Sequence, residues 1–320
     1  FNNSIVQGVA IGTPSNPDLK WETTRQFNIG IDLQLSNIID ISANYFVKNT
    51  NDLLFQPAVS SLIGSYGPGG YPPYVNAGDV SNKGVELELA YATDPKNKVG
   101  MNVNLNFTYI DNEVKSTPEG VDFLPGAGFG VGGNTATRFE VGFPIGYFIG
   151  YQTDGVFQNQ EEIDNATVIQ PGAQVGDLRF VDVDGDGVIN FSNNSDKTNL
   201  GSPIPKFMIG SVLGFNVFGV DISTNLYAAL GHKIVRNYER QQPYANQLSY
   251  VLDRWTVDNP SNDNPRVTTT ATRNGVFSDY FVENGSYLRV RNVQIVYVLP
   301  KNICDKFGTD VITIDKNLIR

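Results

Sequence analysis

Asp182-Val183-Asp184-Gly185-Asp186-Gly187-Val188-Ile189-Asn190 is the stretch whose residue types and spacing point most sharply to chemistry. Carboxylates at the first, third and fifth places, followed by glycine at the sixth, match the start of a calcium loop. In that reading Asp182, Asp184 and Asp186 supply oxygens, the Val188 carbonyl is the fourth ligand, and Asn190 contributes directly or through water. Gly187 permits the sharp turn. The twelfth place, a bidentate glutamate in such loops, is Asn193; the nearest acid is Asp196, which would need a longer loop. A bound Ca2+ would be structural, pinning a long loop that has little core of its own. The competing reading is an acidic, solvated turn.

Other candidates are weaker. Gly128-Phe129-Gly130-Val131-Gly132-Gly133 matches a dinucleotide-binding signature by letter, but neither a βαβ unit nor a following helix surrounds it, so a mobile glycine-rich loop is the better reading. Tyr66, Tyr71 and Tyr74 could stack on a ligand's sugar rings, touch a partner protein, or pack on one another. Glu86 and Glu88 share one face of a strand, as do Arg289 and Arg291. For the glutamates a channel lining is a simpler fate than glycoside hydrolysis; for the arginines, pairing with carboxylates on the same wall. His232 is the one histidine, which removes histidine triads and multi-histidine metal sites. Cys304, also single, has no partner for an internal disulfide. No catalytic set emerges, and the chain does not read as an enzyme.

The elements that would position these residues are strands. From Phe27 the alternate residues Phe27, Ile29, Ile31, Leu33 and Leu35 are apolar, and those between them are polar or glycine. After Ser36-Asn37 the pattern restarts with Ile39, Ile41, Ala43, Tyr45 and Val47, with Phe46 the one apolar intruder on the polar side. Side chains alternate faces along a strand, so each strand has one greasy and one wet surface. Further strands read at 85–91, 99–109, 207–217, 222–228, 287–299 and 311–319, the seventh with a phase shift near Asn292 that suggests a bulge. Connections alternate short and long throughout. That parity is required of an outer-membrane barrel, with short periplasmic turns and long extracellular loops. The longest, 112–206, reads as an extracellular loop region carrying the calcium-loop motif.

Composition is consistent with this. The chain has 320 residues, 40% of them hydrophobic, with 32 Gly, 15 Tyr and 19 Phe. Mean hydropathy is −0.21, and no run approaches the ~18 apolar residues of a spanning helix. The formal net charge of −10, without a basic stripe, argues against nucleic acid. The opening Phe1-Asn2-Asn3 is not a signal peptide and reads as mid-loop, so the chain reads as part of a longer protein.

Five stretches in order resemble signatures of the SusC/RagA family of TonB-dependent outer-membrane receptors: Asn16-Pro17-Asp18-Leu19-Lys20-Trp21-Glu22-Thr23-Thr24, Asn76-Ala77-Gly78-Asp79-Val80-Ser81-Asn82-Lys83-Gly84-Val85-Glu86, Val175-Gly176-Asp177-Leu178-Arg179-Phe180-Val181-Asp182, Pro205-Lys206-Phe207 and Tyr287-Leu288-Arg289-Val290-Arg291-Asn292-Val293. The resemblance implies an all-β, antiparallel transmembrane barrel, of which this chain would be the C-terminal eight or so of 22 strands. It further implies a plug inside the barrel, a SusD-like surface lipoprotein as lid, and import of glycans, oligosaccharides or peptides driven by TonB. The place would be the outer membrane of a Gram-negative, Bacteroidota-type bacterium. Neither plug nor TonB box is recognisable in these residues. Two other readings stand beside it: a SusC-like barrel serving as a subunit of a larger outer-membrane complex, and a secreted, calcium-stabilised β-sandwich that binds carbohydrate or acts as an adhesin. The sandwich would bury the apolar strand faces between two sheets.

Overall fold

The structure is a computed structural model that describes residues 12–36, 38–56, 71–93, 99–130, 134–237, 246, 248–270 and 272–319. Its frame is one eight-stranded antiparallel sheet whose strands lie side by side in chain order. They are β1 (Thr23–Leu35), β2 (Ile39–Asn51), β3 (Asp79–Ala92), β4 (Val99–Ser116), β5 (Phe207–Val217), β6 (Val220–Leu230), β7 (Tyr287–Val298) and β8 (Thr313–Ile319). Among the described residues the sheet does not close on itself, and β1 and β8 are its edges.

The register turns the sequence alternation into continuous rows. Ile31, Ala43, Leu87, Phe107, Ile209, Ala228 and Leu288 stand abreast on one face. One step along, Asp32, Ser42, Glu88, Asn106, Gly210, Tyr227 and Arg289 form a row on the other. Ile29, Ile31, Leu33, Leu87 and Leu105 are exposed, so no second sheet covers the apolar face. The β-sandwich reading therefore fails, because its strands would have to hide those side chains in a dry interlayer.

Turn chemistry holds the register at one end. Phe218-Gly219 joins β5 to β6 with φ of 51° and 81°, the two left-handed residues that a tight hairpin turn requires. The β1–β2 turn is longer than the two residues expected, with Ile38 included and its N–H donating to the Leu35 carbonyl at 3.1 Å. Between β7 and β8 the expected short turn contains a helical turn, Lys301–Cys304, which buries Cys304. The phase shift in β7 is a bulge: Asn225 pairs with Asn292 and Leu226 with Val290, leaving Arg291 over.

Strands β3 and β4 extend past their alternating stretches toward the long-loop side, to Asp79 and Ser116. There they meet a folded unit built mainly from the described residues of 117–206 and 231–286. Its largest piece is a four-stranded sheet, in the order Lys197–Gly201, Tyr147–Tyr151, Thr137–Glu140, Phe123–Pro125. Phe129, Phe148, Phe277 and Phe281 make one core, and Tyr151, Val156, Leu178, Phe180 and Ile189 make a second. A third cluster, Ala77, Val80, Val114 and Phe139, welds the unit to the strand ends. Among the described residues no helix is long and apolar enough to cross a membrane.

Candidate functional site

The aspartate loop hangs between two buried anchors. Phe180 ends a short strand that pairs Leu178 with Val156, and Ile189 is buried in the same core. Ile169 accepts from Ile189 N–H and donates to the Gly187 carbonyl, both at 2.8 Å. Between the anchors the carboxylates gather backbone N–H groups. Asp182 Oδ2 accepts from Gly187 and Oδ1 from Gly185, both at 2.7 Å. The Gly187 N–H above all holds the Asp182 carboxyl below its ordinary value, outweighing the opposing effect of desolvation. Gly185 and Gly187 have φ of 76° and 86°, so the loop needs both glycines.

Asp196 completes the cluster. It is fully buried, and it accepts from Asn190 N–H at 2.7 Å and Val183 N–H at 3.2 Å. One oxygen from each of Asp182, Asp184 and Asp196 lies within 4.8 Å of the others. Asp186 faces elsewhere, with Oδ1 on Val188 N–H, and the Asn190 side chain accepts from Ser192 N–H. Of the four candidate carboxylates the structure thus gathers three, with the buried acid arriving from beyond the twelfth place. No lysine or arginine among the described residues pairs with Asp196. Asp182, Asp184 and Asp196 are the residues that could hold a metal ion here, and their hard oxygen donors suit calcium. Burial, with the Asp196 charge second, raises the Tyr151 hydroxyl's pKa; that hydroxyl donates to the Asn190 carbonyl at 3.1 Å.

The second candidate surface is the polar face of the large sheet. Asp32, Asp40, Ser42, Glu88, Asn104 and Asn106 line a shallow groove there, of about 300 Å³. Glu86 and Glu88 do share this face. Arg289 and Arg291 share it too, but among the described residues neither forms the expected ion pair. Their guanidiniums lie over tyrosine rings, Arg291 4.3 Å from Tyr227 and Arg289 5.4 Å from Tyr287.

Residues 1–184 match the family of TonB dependent receptor-like β-barrels. The chain belongs to that family. TonB-dependent receptor P26 of Formosa agariphila is 30% identical over 314 residues, covering 96% of this chain and 30% of that protein. The TonB-dependent receptor SusC of Bacteroides thetaiotaomicron is 23% identical over 298 residues, covering 88% of this chain and 26% of that protein. A solved structure of the RagAB peptide transporter superposes over 99% of this chain and 34% of its own, with a TM-score of 0.73 at 22% identity. The fold is therefore that of a TonB-dependent receptor barrel, and the chain spans about a third or less of the length of these relatives. Receptors of this family are not enzymes, in keeping with the lack of a catalytic set in the sequence.

The family stretches can now be placed in this TonB-dependent receptor chain. Asp177, inside Val175–Asp182, is the polar hub of the loop unit: buried, paired with Arg266, and accepting from Thr272 Oγ1 at 3.1 Å and Asn274 Nδ2 at 3.0 Å. Sequence spacing could not announce it, since its partners lie some 90 residues on. Gly176 beside it has φ of 87°, and a Cβ there would sit 2.4 Å from the Trp255 ring. Tyr71 and Tyr74 are exposed, and among the described residues neither ring stacks on another; Tyr66 lies outside the described residues. In the glycine-rich stretch Gly128-Phe129 pairs with Asn134-Thr135, and Phe129 anchors it in the first core; residues 131–133 lie outside the described residues.

Proposed function

We propose that this chain is the C-terminal wall of a 22-stranded, plugged barrel in the outer membrane of a Gram-negative, Bacteroidota-type bacterium. The intact protein imports glycans, oligosaccharides or peptides, capturing them beneath a SusD-like surface lipoprotein and drawing on TonB to displace the plug. The observation that carries this reading is the unbroken, uncovered apolar face. From the Tyr109–Phe207 pair to the Val99–Val217 pair the strands run ten residues, about 34 Å, which at a tilt of 35–45° spans about 26 Å, the height of a barrel's lipid-facing band. Aromatic rings mark the upper edge, with Phe207 5.3 Å from Tyr109 and 5.9 Å from Phe107.

In this reading the polar face is the lumen wall, and 112–206 is the core of an extracellular lip. Asp182, Asp184 and Asp196 hold a structural Ca2+ that stiffens it. SusC and the RagAB peptide transporter favour nutrient import over a purely structural role in a larger complex. The test is deletion of the gene for the intact polypeptide in its host, followed by uptake of labelled oligosaccharides and peptides with and without the lipoprotein. Loss of uptake, with the protein recovered only from detergent-solubilised outer membranes, is expected. Recovery as a detergent-free soluble protein would overturn the reading, and intact uptake with altered assembly of other surface proteins would favour the structural-subunit role.

A further inference from the structure

We infer that Arg289 and Arg291, mounted on Tyr287 and Tyr227, form a carboxylate-binding site on the polar wall of the barrel. Alternation puts both arginines on this face, and the bulge adds Asn292 beside them. With Arg291 left over in the pairing, Arg289, Arg291 and Asn292 all fall on the polar face, while Leu288, Val290 and Val293 keep to the apolar one. An unbulged strand would have turned Val293 inward instead. Each guanidinium lies over a tyrosine ring within cation–π reach, and the rings are themselves neighbours, with centroids 6.1 Å apart. A ring contact restrains a guanidinium without using its N–H donors, which can grip a carboxylate with two parallel hydrogen bonds.

Nothing on the described wall answers that charge. Both arginines are exposed, and no described carboxylate lies within ion-pair distance of either. Of the acids on the polar face, Glu86 and Glu88 stand on β3, four strand spacings or about 19 Å from β7, with Asp32 and Asp40 farther still on β1 and β2. Asp221 and Asp315, on the flanking strands β6 and β8, lie opposite Val296, well along the strand from Arg291, and accept from the Asn216 and Gln294 side chains. In a chain of net charge −10, two neighbouring guanidiniums without an acid are a specific arrangement. The ligand is a carboxylate, borne either by a solute in the lumen, such as an acidic sugar or peptide, or by another part of the same polypeptide.

The inference rests on this face being the lumen wall, and the experiment separates the two. The intact receptor in detergent is labelled with phenylglyoxal, and modification of Arg289 and Arg291 is followed by mass spectrometry alone, with trigalacturonate, and with neutral maltotriose. Trigalacturonate at about ten times its dissociation constant should slow labelling about tenfold, maltotriose should not, and Arg291→Lys should abolish the effect by removing the bidentate fork. Protection already present without solute, and relieved by high salt, assigns the carboxylate to the same polypeptide. Equal protection by both sugars, or none with or without salt, overturns the site. Failure of the lumen reading shows separately, as labelling of Leu288→Cys by a water-soluble maleimide in a Cys304→Ala background.

Discussion

Asp177 grips Arg266 through two parallel bonds, Nε to Oδ1 at 2.7 Å and Nη2 to Oδ2 at 3.2 Å, joining segments 89 residues apart inside the loop unit. Removing the acid strands a mostly buried guanidinium, which typically costs about 3–5 kcal/mol. Asp177→Ala should therefore loosen the 117–206 unit while leaving the large sheet folded. Limited proteolysis reads this as new cuts near 255–275 with an unchanged barrel core.

Calcium should act on the same unit. At a free concentration about 100 times its dissociation constant, one bound ion adds about 2.7 kcal/mol. Calorimetry with EDTA and with excess CaCl2 should show a higher unfolding temperature for the loop unit with calcium, and Asp196→Asn should erase the difference. An unchanged transition would mean that the acids form only a solvated turn.

Acid should weaken the loop from the Asp182 side. Its folded pKa lies below the ordinary 3.8, so its contribution is present above the unfolded value and is lost as pH falls through the lower folded value. Measured between pH 6 and 3 in EDTA and corrected for the intrinsic exchange rate at each pH, the protection of the Gly185 and Gly187 amides should fall below pH about 4. In Asp182→Asn the protection should be low throughout, with no acid step.

On the sheet the two faces should respond oppositely. Leu105 lies exposed in the middle of the apolar band, where an arginine costs about 2–4 kcal/mol in a bilayer. Leu105→Arg should reduce the folded fraction, read by heat-shifted mobility on gels. Its neighbour Asn104→Arg, on the polar face, should fold as the parent does.

Gly84 tests the wall's packing. A Cβ there would sit 2.3 Å from the Tyr109 carbonyl oxygen and 2.5 Å from the Phe46 ring. Gly84→Ala must move backbone, and overpacking of this kind typically costs about 1–3 kcal/mol. Urea titration in detergent should find a lower midpoint.

That contact also explains what the sequence alone left odd. Phe46 breaks the alternation because its ring covers Gly84, its partner on β3. The eight strands were legible because their period is two over ten or so residues, and the β7 bulge showed as a slip of phase. The loop unit was not legible: its strands run two to five residues, too short to show a period. Its cores join Phe129 to Phe277 and Tyr151 to Phe180 across chain distances with no local signature. At the acidic loop the first three carboxylates could be read by spacing, but the inward turn of Asp196 and the outward turn of Asp186 depend on the tertiary fold.

Strand β4 runs unbroken for 18 residues, about 60 Å, from the short-turn rim into the loop unit. Its far end is stitched there by Val114 N–H to the Phe143 carbonyl and by the Asn112 side chain to Ile145 N–H. A beam continuous through both parts leaves no joint between them at this strand. The loop unit is braced like a parapet rather than hung like a flap, so in the proposed importer any moving cover has to be hinged on something else.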